Sequence, residues 1–125
     1  MRFGGSGSTF DRYIDEAGNQ FQPIYKQGSI ALKLDDVIKS LGLTANYIKI
    51  DVDGIEHLIL KGGEKVLMNT KELLIEVNEK FEEQKKNCVK SLKQLGFSLK
   101  EKRRSTIFDG TDFASTYNQI WFKQL

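Results

Sequence analysis

Cysteine and proline each occur once in these 125 residues, and neither sign of charge prevails. A lone Cys88 cannot close an internal disulfide, so no disulfide framework holds the chain together and a reducing compartment suits it. No uninterrupted apolar run is long enough to span a bilayer. Residues 1–7 (MRFGGSG) lack the apolar stretch of a signal peptide. Lys and Arg number 19 against 17 Asp and Glu, a formal net charge of +2. Such a balance gives no strong field towards nucleic acid or an anionic membrane, so neither is expected as a partner. The one concentrated basic run, residues 100–104 (KEKRR), reads as a solvated strand end rather than a phosphate contact. With 39% hydrophobic residues the chain is too apolar to be disordered. These absences leave a soluble, cytoplasmic chain with one real core.

What is present divides in two. Residues 1–33 carry Gly, Ser, Gln and scattered aromatics without helical period. Residues 9–14 and 20–34 read as extended segments about the turn cluster 15–19, a β-hairpin in which Pro23 takes an edge or a bulge. Residues 34–125 alternate helices and strands. Asp35 or Asp36 caps a short helix with Val37, Ile38 and Leu41 on its apolar face, stopped by Gly42. Residues 47–52 form a strand with Ile48, Ile50 and Val52 on one face. Gly54 opens a helical stretch with Ile55, Leu58 and Ile59 aligned, broken near Gly62-Gly63 before Val66 and Leu67. Residues 72–77 read as a strand buried on both faces. A long helix follows over 79–95, with Phe81, Cys88, Val89, Leu92 and Leu95 as its stripe, and Gly96 stops it. Strands at 97–103 and 117–123 close the chain as an antiparallel pair. The fold class is therefore α/β, parallel strands with an antiparallel closing pair.

In open α/β sheets ligands bind beyond the carboxyl ends of the strands. Two such ends are polar here: the run 48–57 (IKIDVDGIEH) and the run 74–78 (LIEVN). Asp51, Asp53, Glu56, His57, Glu76 and Asn78 are expected to converge on one rim. Such a cluster can accept hydroxyl protons, hold hydroxyls or ligate a hard divalent cation. A carboxylate inside a buried strand is costly without a partner, which favours function for Asp51. Asp53 and Glu56 have a plainer reading as cap and first-turn acid of the next helix. His57, a lone histidine on a helix, reads more readily as a packed or solvent-facing residue.

The run 33–36 (KLDD), the run 47–56 (YIKIDVDGIE), the step 60–63 (LKGG) and the strand end 75–77 (IEV) together resemble the FkbM family of S-adenosylmethionine-dependent methyltransferases. The match in order and spacing covers residues 33–77, with Asp53 where the family more often has Glu. The resemblance implies a Rossmann-like sheet of which this chain carries the fourth to seventh strands. The first strand and glycine-rich cofactor turn are not found before Leu34, and residues 1–33 would be an extended insertion. It also implies S-adenosylmethionine as cofactor and a small-molecule hydroxyl as acceptor. In that setting Asp51 would be the carboxylate nearest the transferred methyl, with His57 as a further base and Asp53 and Glu56 towards substrate. A divalent cation on Asp51, Glu76 and Asn78 is the further expectation. Without the missing half, the strand at 47–52 becomes a sheet edge and a homodimer is expected. The alternative is a non-catalytic assembly domain, or an inactive relic that folds as that dimer.

Overall fold

The computed structural model describes residues 20, 22, 25, 28, 30–52, 54–111 and 114–124. The chain forms two compact units, Met1–Ile30 and Ala31–Leu125. Most of the hairpin expected over residues 9–34 lies outside the described residues, as does Asp53. The second unit runs α1 (Leu34–Leu41), β1 (Tyr47–Ile50), α2 (Glu56–Gly62), α3 (Glu64–Asn69), β2 (Glu72–Asn78), α4 (Glu82–Gln94), β3 (Ser98–Arg103), a short 3-10 turn (Thr106–Phe108) and β4 (Thr116–Phe122). No described helix is long and apolar enough to cross a membrane.

The strands form one open mixed sheet in the order β1-β2-β4-β3. β1 and β2 are parallel, with Ile50 opposite Ile75. β4 lies antiparallel between β2 and β3, so β1, β2 and β3 share a direction and β4 alone is reversed. The closing pair is antiparallel, as expected. Chain proximity did not reveal that β4 also inserts beside β2. A register shift between Leu99 and Glu101 bulges β3.

Alternation along β2 divides the sheet into two unlike faces. Leu73, Ile75 and Val77 are buried, while Glu72, Leu74, Glu76 and Asn78 are only half-buried. The core joins Leu73, Ile75, Val77, Ile50 and Trp121 to Leu60 of α2, Leu67 of α3, and Cys88 and Leu92 of α4. Every sheet residue in it belongs to the first face. Leu74 and its register partner Ile120, on the second face, are outside it. The expectation that this strand is buried on both faces is thus corrected: helices cover one face, and no described helix packs on the other.

The helices differ from expectation in phase. Glu56, Leu60, Gly63 and Leu67 turn inward, while Leu58 is 55% exposed. The break at Gly63 resets the helical phase and allows a close approach. A Cβ on Gly63 would lie 2.8 Å from Leu34 Cδ2, so only glycine leaves that room without a shift. Leu41 is 62% exposed, and α1 instead turns Leu34, Val37 and Ile38 inward. Asp35 caps a different helix from the one expected. Its carboxylate accepts from the N–H groups of Lys65 and Val66, at 3.2 and 2.9 Å, at the start of α3. Gly42 ends α1 in the left-handed region, φ 63°, as glycine readily does.

α4 begins at Glu82 rather than Glu79 because residues 78–81 are held in a turn. Asn78 Oδ1 accepts from the Lys80 N–H at 3.0 Å, and the Glu79 N–H donates to the Ser115 carbonyl at 2.8 Å. β1 stops at Ile50, and the Gly54 N–H returns to the Val52 carbonyl at 2.9 Å. Gly54 adopts φ 89°, a left-handed geometry that a side chain would strain.

Candidate functional site

The parallel direction of β1 and β2 brings the two polar strand ends to one rim. Lys49 faces Leu74 in the register, and the next same-face step sets Asp51 towards Glu76. Continuing across the second face, Glu76 lies opposite Asn118, and Asn118 opposite Arg103. Glu76, Asn118 and Arg103 therefore form one polar row across the sheet, and Asp51 follows directly on β1 at the same end.

Asp51 is exposed, and its Oδ2 lies 2.5 Å from Lys49 Nζ. The Asp51 hydrogen bond and charge hold the Lys49 ammonium more firmly protonated than usual, with a smaller contribution in that direction from Glu76. Lys49 was not among the residues singled out from the sequence. The signal was present, since positions 49 and 51 alternate onto one strand face. Asn118 and Arg103 had no comparable signal, because antiparallel register depends on the bulge in β3.

The remaining residues diverge. Glu56 is buried at 5% exposure and its Oε1 accepts the Gly54 N–H at 3.2 Å. It closes the turn from β1 into α2 and faces the core near Cys88. His57 stands in the first turn of α2, half-buried, and its Nδ1 has no hydrogen-bond partner among the described residues. Thr116, opposite Asn78, is buried and its hydroxyl likewise lacks a described partner.

The described residues hold no group of three or more His, Cys, Asp or Glu placed for a metal ion. Asp51 is taken by Lys49, and Asn78 Oδ1 is taken by its own turn. On this rim the Lys49 ammonium offsets Asp51. The basic run of β3 is also internally paired. Lys100 meets Glu72 at 3.1 Å, Lys102 meets Glu79 at 2.7 Å and Arg104 meets Asp109 at 2.6 Å, while Arg103 pairs with Glu101.

Compared with family models, with curated proteins and with solved structures, the chain matches none. Function has to be read from the rim's own chemistry.

Cys88 belongs to the core and not to this rim. Burial, with the Glu56 charge behind it, pushes the thiol up to about 12. The thiolate is the reactive form, so Cys88 should be inert in the folded chain. Ellman's reagent at pH 8 is expected to leave it unmodified until denaturant is added. Rapid labelling without denaturant would place Cys88 outside the core.

Proposed function

We propose that this chain is the carboxyl-terminal part of a Rossmann-like, FkbM-type methyltransferase that acts on a hydroxyl with S-adenosylmethionine. The observation that carries the reading is the sheet: three co-directional strands, one reversed closing strand, and carboxylates at the carboxyl end of an edge strand. Parallel strands are normally covered on both faces; among the described residues no helix covers the second face and no strand pairs with the outer edge of β1, which agrees with a fold continued by further strands and helices. In this reading β1, β2, β3 and β4 are the fourth to seventh strands.

When bound, the cofactor supplies an activated methyl group. Asp51 takes the proton of the acceptor hydroxyl, and Lys49, 2.5 Å away, orients its carboxylate. His57, on the helix after β1, is a second base by the resemblance alone, since its Nδ1 is buried without a described partner. Asp53 belongs to the substrate side by the resemblance alone, and Glu56 acts through the turn it closes. No step is routed through a divalent ion.

Backbone N–H groups at a strand–glycine–helix turn normally hold the cofactor's charged end. The 125-residue chain should therefore give no saturable heat with S-adenosylhomocysteine. In a longer chain that includes such a turn, Asp51→Asn is expected to lower methyl transfer by about 100-fold, in the range of a lost proton acceptor. Tight binding by the short chain, or equal turnover of the variant, would count against the reading.

A second reading, a non-catalytic assembly domain, is favoured by the edge of β1. Two copies paired antiparallel about Ile50 would set Lys49 against the partner's Asp51 and Ile48 against the partner's Val52. Opposite charges across a strand pair are favourable, and like charges are not. Light scattering at micromolar concentration is expected to give twice 14.3 kDa, with Asp51→Lys shifting the chain to monomer. A monomer at every concentration would remove the dimer. Should a longer chain occupy this edge with its own strand, the dimer belongs to the short chain alone.

A further inference from the structure

At the opposite edge of the sheet, on the helix-covered face, a groove of about 760 Å³ runs between α4 and β3. That volume is in the range of small-molecule sites. Val89, Phe97, Leu99 and Trp121 form its apolar lining, and Leu99 remains 47% exposed. Lys85, Lys93 and Lys102 stand on the rim with one carboxylate, Glu79. Lys85, Val89 and Lys93 follow one another at four-residue spacing, so α4 presents them as a single wall.

Charge on the rim is unbalanced. Glu79 serves two cations, Lys102 at 2.7 Å and Lys85 at 3.5 Å. Burial works to raise its carboxyl pKa, but the two lysines outweigh it and hold it below the ordinary range. Lys102 also lies 3.9 Å from the centre of the Tyr117 ring. Lys93 has no carboxylate partner among the described residues. The rim thus keeps positive charge beside an apolar slot. Neutral ligands would use the slot alone, and polar anions the rim alone; an amphipathic anion uses both.

We propose that this groove binds a small organic anion with a flat apolar body, seated on Val89 and Leu99 beside the buried edges of Phe97 and Trp121, with its anionic head at Lys93. This site is independent of the methyl-transfer reading, which concerns the β1 edge.

Trp121 is the chain's only tryptophan, and its indole Nε1–H donates to Gln119 Oε1 at 3.0 Å. One indole N–H resonance therefore reports occupancy directly. Titration of the 125-residue chain with 1-naphthaleneacetate is expected to shift that resonance saturably. The neutral analogue 2-(1-naphthyl)ethanol and the Lys93→Glu variant should each weaken binding by about tenfold, the worth of one charge-assisted contact. Lys90→Glu, on an exposed neighbouring position, should change it far less and controls for net charge. No saturable shift at millimolar ligand would overturn the proposal. So would equal affinity for the neutral analogue, or equal weakening by Lys90→Glu and Lys93→Glu.

Discussion

The passage from β1 to β2 is the constraint on which the rest depends. Parallel neighbours cannot be joined by a tight turn, so α2 and α3 must carry the chain back along the sheet. Doing so commits them to one face, where Leu60 and Leu67 meet Leu73 and Ile75. α4 takes the same side with Cys88 and Leu92, and α1 joins the helical layer through Leu34 and the Asp35 cap of α3. The same parallel direction places both polar strand ends on one rim. One connection therefore decides which face is dry and where the carboxylates gather.

Charge completes what packing leaves open. On the rim Asp51 is offset by Lys49, and the basic β3 strand is offset residue by residue by Glu72, Glu79 and Glu101. This is why a chain with as many as 36 charged side chains among 125 residues shows little free charge on its sheet. Lys93, beside the groove of α4 and β3, is the departure from that pattern.

Much of the fold was legible because apolar alternation and glycine positions are local signals. Strands near 47–50 and 72–78, the break at Gly62-Gly63 and the antiparallel close all follow from such signals. What was not legible depends on partners distant in sequence. Asp35 looks like the cap of its own helix, yet it bonds to N–H groups 30 and 31 residues away. Leu74 sits in an apolar run and reads as buried, but its exposure depends on whether a second helical layer exists. The start of α4 was misplaced because Asn78 and Glu79 bond within a turn that resembles helix in composition. At the rim, Asp51 and Glu76 were foreseen as neighbours from strand direction alone. Lys49 was missed despite its parity with Asp51, and Glu56 went to the core side of the turn.

The central claim is that the described helices pack on one face of this sheet only, and paired truncations at adjacent residues of β2 test it most directly. Leu73→Ala and Leu74→Ala share a strand and a side-chain type, so backbone propensity nearly cancels between them. Chemical denaturation is expected to show a loss of about 2–5 kcal/mol for Leu73→Ala, the usual cost of emptying a filled core site. For Leu74→Ala the expected loss is about 1 kcal/mol, typical of a partly exposed position. Equal losses, or a larger one at Leu74, would mean that the second face is packed as tightly as the first and would contradict the account.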